Sequence, residues 1–254
     1  MIRLKSEQEI KLLKQGGKIL AEVLEVVKKN VKPGITTREL DKIAEDLILT
    51  KGGQPSFKNY GDKNNPYPAT LCTSLNEEIV HGVPRDYILK EGDILGLDIG
   101  MRYPKDSGLY TDMAVTVPVG SISASAKNLI KVTKKALDVW LKNIKAGEDL
   151  YQLSKKVQDY IESNGYSVIR DLVGHGVGHA VHEDPQIPNY YIPGATLILK
   201  EGMVLALEPM VSSGDFRIKT MPDGWTAVTI DGSLTAHFEH SVVVTKRGCD
   251  VLTK

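Results

Sequence analysis

Apolar residues recur at helical spacing near the start of the chain. Ile10, Leu13, Leu20, Leu24 and Val27 share one helical face, and Ser6 followed three positions later by Glu9 has the form of a capping box. This pattern predicts a helix from there to about Asn30, stopped by Pro33 and Gly34. Thr36 and Glu39 repeat the capping signal and predict a second helix through "TTRELDKIAEDLILTK", closed by Gly52 and Gly53. A shift of 113 positions lays Lys32, Gly34, Leu40, Asp46, Ile48 and Gly52 on Lys145, Gly147, Leu153, Asp159, Ile161 and Gly165. A helix, a glycine turn and a second helix therefore occur twice, each time ahead of strand-like segments. Coincidence between two ordinary amphipathic helices is the competing reading. The repeat predicts an α/β (α+β) fold whose two halves, about 1–120 and 121–254, meet at a pseudo-twofold axis. No linker-like tract separates them, so the chain reads as a single domain over residues 1–254.

Alternation replaces helical spacing in the segments that follow. In "GDILGLDIGM" the odd positions Leu95, Leu97, Ile99 and Met101 are apolar, while Asp98 has Gly96 and Gly100 as its same-face neighbours. In "TDMAVTV" Met113, Val115 and Val117 form one face and Asp112 lies on the other with Ala114 and Thr116. The intervening "RYPKDSGLY" has hairpin turn chemistry, so both aspartates can face one cavity. "GMVLALEPM" sets Glu208 opposite Leu205 and Leu207, and "HFEHSVVVT" puts Glu239 in a valine-rich strand. Any one of these acids alone reads equally as a solvent-facing residue of a one-sided sheet.

Charge narrows the chemistry. The formal charge is zero, with no long basic run, which excludes phosphate-backbone binding as the main task and predicts no direct nucleic-acid specificity. No stretch has the length of a membrane span, and "MIRLKSEQEIKLLK" lacks the form of a secretion signal, so a cytoplasmic protein is expected. Cys72 and Cys249 form no CxxC pair and suggest neither a disulfide framework nor a zinc ribbon. Four carboxylates on apolar strands would be costly to bury alone. No lysine or arginine lies in those strand cores, so bound cations are the natural compensation, and an oxygen-rich shell suits manganese, iron or cobalt. "GHGVGHAVHEDP" holds three of the six histidines. Its glycines argue against a helix, and in an extended chain His175 and His182 face opposite sides unless the backbone bends. For each histidine taken alone, a structural role is the simpler reading.

The ordered set "SLNEEIVHGVP", "LDIG…YTDMAV", "GHGVGHAVHEDP", "LALEPM" and "FEHSVVVT" resembles the type I methionine aminopeptidases, metallopeptidases of the pita-bread fold. The resemblance spans essentially the whole chain and implies two pseudo-twofold halves, each with two helices on antiparallel strands. It makes Asp98, Asp112, His175, Glu208 and Glu239 the ligands of two divalent ions, cobalt, manganese, iron, zinc or nickel, with Asp112 and Glu239 shared between them. It implies removal of the N-terminal methionine from nascent proteins and peptides by a metal-activated hydroxide, with Glu208 shuttling a proton and His81 and His182 handling the substrate carbonyl. Tyr67, Cys72, His81 and Trp225 match positions that line the methionine pocket, although core packing explains Cys72 and Trp225 as well. The chain departs from the family pattern in a longer Asp98–Asp112 interval and in extra residues in "YGDKNNPYP". It also departs at Val181, where an aromatic is common, His179, where arginine is common, and His237, where glutamine is common. By analogy the protein is a monomer that meets nascent chains with transient ribosome contact. The rival readings are a peptidase of the Xaa-Pro aminopeptidase or prolidase type, and a non-catalytic binding module on the same fold.

Overall fold

The computed structural model describes residues 2–254. Both expected capping boxes form. Helix α1 (Glu7–Asn30) starts where the Ser6 side chain accepts the Glu9 N–H and Glu9 accepts the Ser6 N–H, and α2 (Thr37–Thr50) repeats this with Thr36 and Glu39. The face of α1 bearing Leu13, Leu20, Leu24 and Val27 is buried, with Ile10 at its margin. Gly17 also lies on this face because the C-terminal strand crosses it; a Cβ there would stand 2.3 Å from the Leu252 carbonyl oxygen.

Helices α3 (Ala124–Asn143) and α4 (Leu150–Ser163) are capped by Ser123 and Asp149. The 113-residue shift carries α2 residue for residue onto α4. The turns ahead of these helices match too. Gly34 and Leu89 tie down the first through Gly34 N–H to Leu89 O (2.9 Å) and Leu89 N–H to Ile35 O (2.8 Å). Gly147 and Leu199 tie down the second through Gly147 N–H to Leu199 O and Leu199 N–H to Glu148 O, both 2.9 Å. Residues 89–98, "LKEGDILGLD", and 199–208, "LKEGMVLALE", follow these turns and place Asp98 and Glu208 at equivalent points.

One curled antiparallel sheet holds both halves together. Its strands are β1 (Gln54–Pro55), β2 (Leu71–Leu75), β3 (Ile94–Tyr103), β4 (Leu109–Pro118), β5 (Gly174–Gly176), β6 (Glu183–Ile187), β7 (Val204–Leu207), β8 (Glu239–Val244) and β9 (Cys249–Val251). The order is β1-β3-β4-β8-β7-β5-β6, with β2 also on β3 and β9 also on β8. Two three-stranded ribbons flank it. One joins Ser167–Val168, Met210–Ser212 and Thr235–His237, and the other joins Glu78–Val80, Ile218–Thr220 and Ala227–Thr229.

Alternation then sorts the side chains. The face with Leu95, Leu97, Ile99 and Met113 packs under α1 and α2, while that with Leu205, Leu207 and Val242 packs under α3 and α4, giving each half its own core. The opposite face carries Asp98, Asp112 and Glu239. The mixed α/β architecture is that expected from the chain's periodicity, and the curled antiparallel sheet is that of the pita-bread fold implied by the resemblance. Among the described residues no helix is long and apolar enough to cross a membrane.

Candidate metal centre

The register of the central strands brings the acids together. Asp98 pairs with Ala114, Gly100 pairs with Asp112, and Ala114 is also the cross-strand partner of Glu239. One methyl group thus lies between acids from three strands, leaving space above it. On the other side of the midline His175 pairs with Ala206, and Glu208 follows directly after β7. Asp112, His175 and Glu239 each offer an atom within 4.8 Å of the others, and all three are buried. His175 Nε2 lies 3.5 Å from Glu208 Oε1 and 4.0 Å from Asp112 Oδ2.

The histidine's tautomer follows from its second contact. Nδ1 stands 2.9 Å from the Gly176 carbonyl, which can only accept, so Nδ1 carries the hydrogen and Nε2 turns a lone pair toward the acids. Burial, reinforced by the nearby His182, holds the His175 pKa down at about 3, so this imidazole is neutral. Burial also raises the carboxyls: Asp98 to about 7, and Asp112, Glu208 and Glu239 well above their ordinary values. For Asp112 and Glu239 the neighbouring carboxylates add to that effect.

Asp98 Oδ1, Asp112 Oδ1 and Glu239 Oε1 are buried with no hydrogen-bond partner. No lysine or arginine lines the cavity they share. Four acids and a lone pair converging without a counter-charge are electrostatically unfavourable, and a divalent cation is the group that reverses the sign. The donor set, oxygen-rich with one neutral imidazole, fits such an ion.

The cavity is about 580 Å³ and is lined by all ten residues singled out from the sequence: Tyr67, Cys72, His81, Asp98, Asp112, His175, His182, Glu208, Trp225 and Glu239. Its apolar end is built by Phe57, Tyr67, Cys72 and Val181, with Trp225 packed against them. Cys72 is the cross-strand partner of Asp98, so the apolar and acidic ends share a border. The Tyr67 hydroxyl shares its single hydrogen between the carbonyls of Leu71 (3.2 Å) and Gly82 (3.0 Å), and its ring meets the Trp225 ring edge-on at 5.2 Å. The extra residues of "YGDKNNPYP" hold Trp225 in place: its Nε1–H donates to the Asn65 carbonyl at 3.2 Å, and a Cβ on Gly61 would stand 2.5 Å from its ring. Both His81 and Gly61 adopt left-handed backbone angles, φ 57° and 95°. The strained His81 backbone fixes where its ring enters the cavity.

The backbone does bend between His175 and His182, through Gly178 at φ 140°, and their rings approach to 4.4 Å. His179 points away from the centre, its Nε2 lying 2.5 Å from Glu9 Oε1. Glu183 secures the bend by accepting the N–H groups of His179 and Ala180 on one oxygen and Lys5 Nζ on the other, the last at 2.6 Å. Sequence reasoning missed Phe57 and Tyr60. Tyr60 lines the mouth of the cavity and its hydroxyl lies 2.7 Å from His182 Nδ1. The available signal was a pair of aromatics in a glycine- and asparagine-rich loop.

Residues 11–246 match the profile of metallopeptidase family M24. A methionine aminopeptidase of Clostridium perfringens is 47% identical over 254 residues, covering all of this chain and 99% of that one. The crystal structure of a methionine aminopeptidase from Thermotoga maritima superposes with a TM-score of 0.95 at 46% identity, covering all of both chains. A Xaa-Pro dipeptidase from Bacillus anthracis shares the fold, with a TM-score of 0.79 at 24% identity, and this chain spans 62% of it.

Proposed function

This chain belongs to metallopeptidase family M24, and we infer that it is a methionine aminopeptidase, an enzyme that removes the N-terminal methionine from peptides and nascent chains. One observation carries this reading: an apolar pocket opens directly onto a buried cluster of acids inside a single cavity. The apolar end suits an unbranched thioether side chain. The acidic end suits the free α-amine and the first peptide bond.

Asp98, Asp112, His175, Glu208 and Glu239 would hold two divalent ions; manganese, iron, cobalt, zinc and nickel all suit such donors. Bound there, the ions act as Lewis acids that activate water and polarise the scissile carbonyl. The protein's own residues supply the rest. Glu208, raised by burial, takes a proton from the attacking water and returns it to the leaving amine. His182, with Nδ1 engaged by Tyr60, and His81, whose pKa burial lowers to about 4, present neutral N–H groups toward the carbonyl oxygen. Tyr67, Cys72, His81 and Trp225 shape the pocket and exclude bulky or charged side chains. The two halves act as one catalytic domain, 1–254, working as a monomer in the cytoplasm, with transient ribosome contact to meet its substrates.

The test is hydrolysis of Met-Ala-Ser and Ala-Pro-Ala with each ion added after chelation. The methionyl peptide is cleaved only by the metal-loaded protein, and Glu208→Gln lowers kcat at least about 100-fold. Cleavage of the proline peptide alone would transfer the chain to the Xaa-Pro reading, for which only the shared fold speaks. Cleavage of neither peptide with any ion would leave a binding module.

A further inference from the structure

Glu208 lies between two imidazoles. His175 Nε2 faces one carboxylate oxygen at 3.5 Å, and His237 Nε2 lies 3.3 Å from the other. His237 sits at the end of strand Thr235–His237 in a flanking ribbon, where it pairs with Met210 and is only 2% exposed. Its backbone is pinned to the middle of the main sheet: the His237 N–H donates to Thr116 Oγ1 at 2.8 Å, and that hydroxyl donates to the His237 carbonyl at 3.0 Å. The ring is therefore delivered to Glu208 by a rigid attachment, yet Nε2 makes no hydrogen bond.

A buried ring nitrogen without a partner costs about 1–3 kcal/mol, so a ring held this firmly needs a polar partner close by. Glu208 Oε2, which can only accept when ionised, lies a few tenths of an ångström beyond ideal hydrogen-bond distance. We propose that His237 is a positioning residue for the metal centre. Its Nε2–H donates to Glu208 Oε2, fixes the rotation of that carboxylate and leaves Oε1 as the oxygen presented beside His175. This rests on the reading of Glu208 as a metal ligand. The donor also draws charge from Glu208 and so tunes its hold on an ion.

The test is calorimetric titration of the chelator-treated protein with Mn2+. His237→Ala is expected to bind the ion 10–100-fold more weakly than wild type, whereas His237→Gln, which keeps an N–H donor, stays within about threefold. Equal affinity in the alanine variant, or a glutamine variant as weak as alanine, overturns the proposal. Should His237→Ala fail to fold, the 15N shifts of His237 in the Zn2+-loaded wild-type protein decide: a protonated Nε2 supports the assignment and an unprotonated Nε2 refutes it. A wild-type protein that binds no divalent ion and cleaves no peptide defeats the proposed function and this role with it. A wild type that binds and cleaves, beside an alanine variant with undiminished affinity, defeats the positioning role alone.

Discussion

Ser241 grips the backbone of Asp112 across the midline of the sheet: its Oγ accepts the Asp112 N–H at 2.9 Å and donates to the Asp112 carbonyl at 2.8 Å. The ladder between β4 and β8 has only two register pairs here, Glu239 with Ala114 and His240 with Met113. Two hydroxyls, Ser241 and Thr116, extend the join where the backbone does not.

Ser241→Ala leaves a buried N–H and carbonyl without that partner, a loss of about 1–3 kcal/mol. For a chain of this size, scanning calorimetry should then show a melting temperature lower by roughly 3–10 °C. A melting temperature equal to that of wild type would mean that the midline is held by other contacts.

Lys5 and Glu183 form a buried ion pair, with side chains 1% and 12% exposed, that fastens the start of the chain to the bend carrying His182. Burial by itself would raise the Glu183 carboxyl, but hydrogen bonds from Lys5 and the Ala180 N–H outweigh it and the net shift is downward. Its stabilisation is therefore complete above the ordinary glutamate pKa of about 4.3 and is lost as pH falls below it. At pH 7, Lys5→Met strands the carboxylate and costs about 3–5 kcal/mol in denaturant unfolding, and adding Glu183→Gln recovers most of that loss. A double variant no more stable than the single one would show that the charge itself is not the cause.

The acids and histidines of the centre pull stability in opposite directions with pH. Carboxyls raised in the folded state, Asp98 to about 7 and the other three well above their ordinary values, give stability at low pH that is lost as pH rises through their folded-state titration. The lowered histidines, His81 to about 4 and His175 to about 3, act only below their unfolded pKa of about 6.5. Between about pH 6.5 and 8, then, the chelated protein should melt at progressively lower temperature. With excess Mn2+ the trend should reverse, because the ion competes with those protons. Parallel curves with and without the ion would contradict a metal centre built on these acids.

Trp225 closes the apolar end by meeting Tyr67 edge-on and resting against Gly61. Trp225→Ala should lower kcat/KM for methionyl peptides about tenfold or more, and should do so more for methionine than for an N-terminal alanine. Equal losses on both substrates would place the defect in folding, not in side-chain recognition.

Local signals were legible in the sequence and long-range ones were not. The capping pairs at Ser6 and Thr36, and the glycine turn at Gly34 with its counterpart at Gly147, are written within a few residues each and appear as read. Alternation placed Asp98 and Asp112 on one face of a hairpin, because a two-residue period is a local property. That Glu239 would share Ala114 with Asp98 depends on pairing β8 against β4, which no local pattern specifies. Tyr60 reaches His182 across 122 positions and Lys5 reaches Glu183 across 178, so neither partner marks the other in the chain. His237, which stands where the family commonly has glutamine, brings its ring beside Glu208, a proximity that no local pattern specifies.

The midline has one more implication. Asp98 and Asp112 lie before residue 121 and His175, Glu208 and Glu239 after it, so neither segment alone supplies the whole cluster that lines the cavity. Chains severed in the exposed turn at Gly120 and Ser121 would be inert apart and would recover catalysis only on reunion, which makes turnover itself a gauge of how tightly the two pieces recognise each other.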